Sequence, residues 1–181
     1  MKRIIALVII IALLVMLSSG CAGGADPDNL DFDRAFSFTA EIIYNDSVSA
    51  ADFARTAPDV WTGTLTAPYA LQGMQVAFTP AEMTVSYSGF DVDFSEDTPP
   101  EINVSAFLMI KTLENAFALQ GVNVSGGRDS IELAGTFDGD SYVLRLDRDG
   151  LPVSLEVPRR QLRVTFSEVR TAKLLSPSDL E

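Results

Sequence analysis

The side chains of this sequence that could carry chemistry are mostly carboxylates. In the last two thirds of the chain, aspartates separated by one residue occur in three pairs: Asp91 and Asp93, Asp138 and Asp140, and Asp147 and Asp149. Glycoside hydrolysis needs two carboxylates on opposite sides of a sugar cleft. The last two pairs fall in predicted turns, where aspartate is favoured because its side chain bonds to nearby backbone groups. The pattern therefore predicts solvated turns and no catalytic residue, so we do not expect an enzyme.

The composition removes most other chemistry. The chain has 181 residues, no histidine and one cysteine. Catalysis that needs histidine and histidine-ligated metal sites are therefore excluded, as are internal disulfides and thiolate zinc sites. The net charge of −12 argues against a polyanionic partner. We expect no metal, no cofactor and no nucleic acid, in a chain whose length suits one domain.

The amino terminus has the pattern of a secretory signal. Lys2 and Arg3 precede an apolar run, residues 4–17, that would span about 21 Å as a helix. The hydrocarbon core of a bilayer is roughly 30 Å thick, so the run is short for a membrane helix. Residues 17–21, Leu-Ser-Ser-Gly-Cys, resemble the lipobox of bacterial lipoproteins.

That resemblance implies a signal peptide at residues 1–20 and acylation of the Cys21 thiol. The protein would then be held by lipid at the extracytoplasmic face of a cell membrane, since stable anchoring takes two acyl chains. A plain secretory signal and an uncleaved membrane anchor remain alternatives. Both would leave Cys21 as a free thiol.

Residues 21–34 are predicted to form a flexible acidic tether. The segment contains two glycines, a proline and four aspartates: Asp26, Asp28, Asp31 and Asp33. A calcium loop is an alternative, but the required glycine and the distal bidentate glutamate are missing. We therefore expect a solvated spacer.

Residues 35–175 are predicted to form one mainly β domain, followed by a tail at 176–181. Apolar residues alternate along about ten segments, and turn residues separate them. Residues 103–120 have the spacing of a helix, with Gly121 as a C-cap, and residues 123–129 are predicted to form a loop. Alternating strands give a sheet with one apolar face, so we expect a curved antiparallel sheet with the helix on its concave face.

Three segments resemble the LolA/LolB-like lipoprotein-carrier superfamily. They are residues 68–73 (PYALQG), 142–152 (YVLRLDRDGLP) and 164–167 (VTFS). The resemblance implies an unclosed barrel that binds acyl chains in its hollow, the cargo being lipid or lipoprotein. It leaves open whether this chain acts in lipoprotein or lipid trafficking, and it does not fix an oligomeric state.

The residues expected to line such a hollow are apolar and lie on the predicted strands and helix. The candidates are Phe36, Phe38, Met74, Met83, Val85, Tyr87, Phe107, Ile110, Phe117, Phe137, Tyr142, Leu144 and Phe166. Methionine adapts to irregular hydrophobic surfaces, which suits a lipid site. The alternative is a filled core without ligand, in a membrane-tethered domain for protein interaction or envelope sensing.

Two other features have alternative interpretations. Five basic residues lie near the last hairpin: Arg159, Arg160, Arg163, Arg170 and Lys173. They could bind a phosphate headgroup, or they could pair with acidic residues of the first half of the chain. We favour the pairing. Trp61, the only tryptophan, could stack on a sugar but is expected in the core or at the edge of a strand.

Overall fold

The computed structural model describes residues 31–95, 104–127 and 129–171. The predicted signal peptide, Cys21, most of the tether, residues 96–103, Lys173 and the tail lie outside these residues. The elements follow the chain in this order: β1 Phe36–Tyr44, β2 Ser47–Ala57, β3 Val60–Ala67, β4 Gln75–Phe78, β5 Glu82–Tyr87, β6 Phe90–Ser95, α1 Val104–Phe117, β7 Asn123–Gly126, β8 Ile131–Phe137, β9 Asp140–Leu146, β10 Pro152–Val157 and β11 Leu162–Thr171.

The eleven strands form one antiparallel sheet in the order β6-β5-β4-β3-β2-β1-β11-β10-β9-β8-β7. Strands β1 and β11 pair at its centre, and β6 and β7 are its two edges. The sheet is curved and unclosed, as predicted, and α1 connects the two edge strands in sequence. No helix within the described ranges is long and apolar enough to cross a membrane.

Alternation places one apolar row of each long strand on the concave face. In β1, Phe36, Phe38, Ala40 and Ile42 are buried, and the residues between them are more exposed. Three hairpins close through two-residue turns at residues 45–46, 88–89 and 138–139, in which both residues have positive φ. This is the geometry that matches the twist of the flanking strands, and Asn, Asp and Gly accept it most readily.

Two boundaries differ from the prediction. Residues 123–126 form β7 instead of belonging to a loop; all four are exposed, so no alternation marks them, and pairing with β8 makes them a strand. The helix begins at Val104, the first described residue after 95, and ends at Phe117, earlier than predicted. Leu119 (φ 56°) takes the left-handed conformation first, and Gly121 (φ 70°) lies in the turn beyond it.

Candidate functional site

The predicted ligand-lining residues converge on the concave face. Ten of the thirteen are buried in one hydrophobic core with α1: Phe36, Phe38, Met74, Met83, Val85, Ile110, Phe117, Tyr142, Leu144 and Phe166. Phe107 and Phe137 are partly buried and pack against that core. Tyr87 is 39% exposed and lies outside the core, next to the sheet edge.

Aromatic rings join the helix to the centre of the sheet. The ring of Phe36 lies 6.0 Å from that of Phe117 on α1 and 5.7 Å from that of Trp61, both edge-on. The rings of Phe38 and Phe166 are 4.8 Å apart. Edge-on pairs at these distances are favourable beyond the area that they bury. Side chains of the sheet and helix therefore occupy this part of the interior.

A buried ion pair also attaches the helix to the sheet. Arg55 of β2 is 2% exposed and donates two hydrogen bonds to Glu114 of α1, Nε to Oε1 at 2.7 Å and Nη2 to Oε2 at 2.8 Å. Trp61 Nε1 donates to the same Oε1 at 2.6 Å. Charged partners bonded through two parallel N–H groups make strong, oriented contacts. Trp61 is fully buried, which confirms the expected core position.

Arg55 also holds the chain that leads into the first strand. Its Nη1 donates to the backbone oxygens of Phe32 (2.6 Å) and Arg34 (3.2 Å). Its guanidinium carbon lies 5.3 Å from the ring centroid of Phe117, within range of a cation–π contact. One buried cation therefore joins the segment before β1, the sheet and the helix.

Neither Arg55 nor Glu114 was among the functional residues predicted from the sequence. A signal for Arg55 was present: it follows Ala51 and Phe53 in the inward phase of β2. An arginine in that phase must find a buried partner because an unpaired buried charge is very costly. No comparable signal identifies Glu114, which lies off the apolar stripe of the predicted helix.

A second polar contact to the sheet comes from the neighbouring helix residue. Tyr142 of β9 donates its hydroxyl to Asn115 Oδ1 at 2.9 Å. Burial disfavours the phenolate and raises the pKa of Tyr142 to about 12. The ring lies across Gly135 of β8, where a Cβ atom would come within 2.5 Å of the tyrosine oxygen. Gly135 thus leaves the space that this ring needs.

An open cleft of about 400 Å³ lies where these groups meet the surface. Phe117 and Phe137, both predicted ligand-lining residues, form part of its wall. Lys111 and Glu114 of α1 and Asp59 of the β2–β3 turn add charge. Small-molecule sites have volumes in this range and combine apolar walls with a few polar groups. The cleft is therefore suited to an amphiphile whose polar end faces solvent.

Two of the three acidic pairs are used structurally. Asp147 Oδ1 accepts the N–H groups of Asp149 and Leu151, as expected for a turn. Arg160 bonds to both Asp138 and Asp140. Within the described ranges, no group of three or more Cys, Asp or Glu residues is placed to hold a metal ion.

The basic residues near the last hairpin pair internally, but with a different set of acids from the one predicted. Arg160 forms salt bridges with both Asp138 and Asp140, and Arg159 forms one with Asp140. The other two salt bridges are Arg163–Glu156 and Arg170–Glu168. All of these acids belong to the second half of the chain, because hairpins bring neighbouring turns and strands together. The expected pairing with the first half is wrong for these four arginines.

At the level of sequence, no family model and no curated protein matches this chain. An uncharacterized conserved protein from Thermus thermophilus has a similar structure, with a TM-score of 0.53 and 11% identity over 82% of this chain and 85% of that one. A DUF1329 family protein from Desulfovibrio piger has a TM-score of 0.47 at 13% identity, over 85% and 92% of the two chains. A LolA superfamily protein from Nitrosomonas europaea has a TM-score of 0.41 at 9% identity, over 80% and 89%. The first similarity supports the architecture alone, and no conclusion rests on the other two.

Proposed function

We propose that this protein is a cell-envelope lipoprotein, anchored through acylated Cys21, whose curved sheet binds a hydrophobic ligand. The ligand class is lipid, or the acyl chains of lipoproteins. Binding takes place on the concave face as α1 moves outward, and the polar end of the ligand lies in the cleft beside Phe117 and Phe137. A role in lipoprotein or lipid trafficking would follow from such binding.

The observation that carries this proposal is the composition of the contact between helix and sheet. The buried residues of α1 are almost all apolar: Ala106, Leu108, Met109, Ile110, Thr112, Leu113, Ala116 and Phe117. The hydroxyl of Thr112 bonds within the helix to the Leu108 oxygen. Apolar contact is non-directional, so an acyl chain can replace the apolar part of this helix face, whereas the bonds of Glu114 and Asn115 to the sheet are lost when the helix moves.

The free energies of the two contacts are of similar size. A palmitoyl-length chain taken from water gains about 12 kcal/mol, at ~0.8 kcal/mol per methylene, before ordering costs. The helix face buries several large apolar side chains at ~1.5–3 kcal/mol each. Exchange of helix for ligand is therefore close to balanced, and the polar contacts of Glu114 and Asn115 favour the closed arrangement.

Uptake of a fluorescent fatty acid tests this proposal. Trp61→Phe removes one hydrogen bond to Glu114, worth about 1 kcal/mol, and should populate the displaced helix about fivefold more. Faster uptake than in the wild type is expected, measured by stopped-flow fluorescence. Ile42→Val is the matched control, because it costs a similar ~0.5–1.5 kcal/mol at a buried site of β1 without touching the ion pair.

Two results would contradict ligand binding. If neither the wild type nor Trp61→Phe takes up the fluorescent fatty acid, the proposed binding of a hydrophobic ligand is wrong. Equal acceleration by Ile42→Val means that general loosening, and not movement of the helix, admits the probe. Native mass spectrometry of the protein released from membranes gives an independent readout, since bound lipid adds its own mass.

A membrane-tethered interaction or envelope-sensing domain is the second candidate. The specific observation that favours it is the packing of Phe36, Phe38, Trp61 and Phe166 against one another in the interior. Absence of probe uptake and of bound lipid would favour this second candidate over the first.

The anchor is tested separately. Cys21→Ala should abolish labelling by palmitate and release the protein from the membrane fraction. Continued membrane association of this variant through residues 4–17 would contradict processing at Cys21.

A further inference from the structure

The apolar row on the concave face continues beyond the part that is buried. Along edge strand β6, Phe94 is half-buried and packs against the core, whereas Val92 is 49% and Phe90 76% exposed. Phe94 and Val92 pair in register with Met83 and Val85 of β5, which are buried in the core, and Phe90 lies on the same face of the sheet. The exposed end of β6 is therefore a solvent-facing extension of the lining of the sheet.

Aromatic side chains widen this apolar surface. Tyr87 pairs with Phe90 across the hairpin and is 39% exposed. Its hydroxyl donates to the backbone oxygen of Ala70 at 3.0 Å, which brings the short helical turn containing Tyr69 beside it. Tyr69 is 90% exposed. The exposed apolar surface at this edge therefore includes Tyr69, Tyr87, Phe90 and Val92.

The backbone of β6 is also oriented for pairing. The turn at Ser88 and Gly89 joins β5 to β6 through two residues, so Tyr87 and Phe90 form its closing hydrogen-bonded pair. Hydrogen bonding alternates along an antiparallel pair. The N–H and C=O groups of Asp91 and Asp93 consequently point away from β5, toward the outer edge of the sheet.

The opposite face of the same hairpin is acidic. Asp91 and Asp93 share that face with Glu82, and the Asp93 carboxylate accepts the hydroxyl of Thr84 at 2.8 Å. Residues 31–95 contain nine acids and two bases. Both bases are engaged elsewhere, Arg55 with Glu114 and Arg34 with the Asp149 oxygen. No basic residue in the described part of the chain pairs with Asp91 or Asp93.

We propose that β6 is a docking edge for an extended segment of a partner protein in which apolar and basic side chains alternate. The segment adds a strand beside β6. Its apolar side chains cover Phe90 and Val92, and its lysines or arginines lie opposite Asp91 and Asp93. Strand addition obtains affinity from main-chain bonds and specificity from alternate side chains, and here charge complementarity selects the partner. This proposal is independent of ligand binding on the concave face.

The test uses the full chain in nanodiscs of zwitterionic lipid and a fluorescent peptide of alternating valine and lysine, followed by anisotropy. We expect binding, weakened by salt. A peptide of alternating valine and glutamate should bind at least tenfold more weakly. N-methylation of alternate residues of the lysine peptide, on the edge facing β6, should abolish binding because it removes main-chain donors without altering the protein.

Variants assign the binding to this edge. Asp91→Lys should weaken the lysine peptide at least tenfold and strengthen the glutamate peptide. Phe90→Ser should weaken binding severalfold, whereas Val153→Ser, at a position 45% exposed on the interior strand β10, should not. Equal binding of both peptides, or of the N-methylated one, would overturn the proposal. Self-association of the protein through β6 in the absence of peptide would also overturn it. The same holds if Phe90→Ser weakens binding of the protein to lipid vesicles but leaves peptide binding unchanged.

Discussion

Two ion-pair clusters hold parts of this fold together, and they differ mainly in their exposure to water. In the inner cluster, Arg55 is 2% exposed and the Glu114 side chain 11%. In the outer cluster, Arg160 has 42% of its side chain exposed and bonds to Asp138 and Asp140. Water and salt screen the outer pairs, whereas the inner pair has exchanged its hydration for specific protein bonds.

The difference shows what each cluster does. The outer cluster connects the β8–β9 turn to the short helical turn before β11, two segments that the sheet already places side by side. The inner cluster connects elements that no hairpin joins: β2, α1 and the residues before β1. Breaking the inner cluster should therefore change both the stability of the fold and the position of the helix.

The largest effect is expected for Glu114→Gln. The substitution leaves the Arg55 charge buried without a carboxylate, which costs about 3–5 kcal/mol. Urea denaturation should show this as a lower midpoint. Arg55→Met combined with Glu114→Leu is the control, because removing both charges together is often close to neutral. A double variant as unstable as Glu114→Gln would mean that packing of these side chains, and not the charge pair, dominates.

An intermediate effect is expected at the uncharged contact between helix and sheet. Tyr142→Phe removes the hydrogen bond to Asn115 and should cost about 1 kcal/mol at neutral pH. The pKa of Tyr142 is raised to about 12 in the fold, above its ordinary value of 10. Between these values the unfolded state loses its proton first, so the buried tyrosine destabilises the fold as pH rises from 10 to 12.

The variant should therefore lose less stability than the wild type between pH 10 and 12. Thermal unfolding at a series of alkaline pH values measures the difference. Tyr87→Phe is a suitable control because the Tyr87 side chain is partly exposed and makes no contact with the helix–sheet core. Parallel alkaline losses in the wild type and Tyr142→Phe would show that other groups control this range.

Much of the sheet could be predicted because each strand and each turn is specified by residues that are close together in the sequence. Alternation identified β1, and turn residues such as Asn45 and Asp46 located its end. The edge strand β7 could not be found in this way, since all four of its residues are exposed and only pairing with β8 defines it. The candidate site was predictable in its apolar lining, but not in its polar contacts.

Those contacts depend on distances along the chain that a local pattern does not span. Arg55 and Glu114 are separated by 59 positions, and the pairing requires a particular rotation of α1 on the sheet. Strand phase predicts that Arg55 points inward, but the helix stripe places Glu114 beside the apolar face and not on it. Only the packed arrangement identifies one as the partner of the other.

The smallest effect is expected for Arg160→Gln in the outer cluster. Asp140, through its hydrogen bond and charge, and to a smaller extent Asp138 raise the pKa of Arg160. Exposed pairs contribute about 0–1 kcal/mol, and salt screens them. The variant should therefore lose less than about 1 kcal/mol, and the loss should shrink at high salt. A salt-independent loss as large as that of Glu114→Gln would remove the contrast, because it would mean that the buried Asp140 depends on Arg160 as the inner glutamate depends on Arg55.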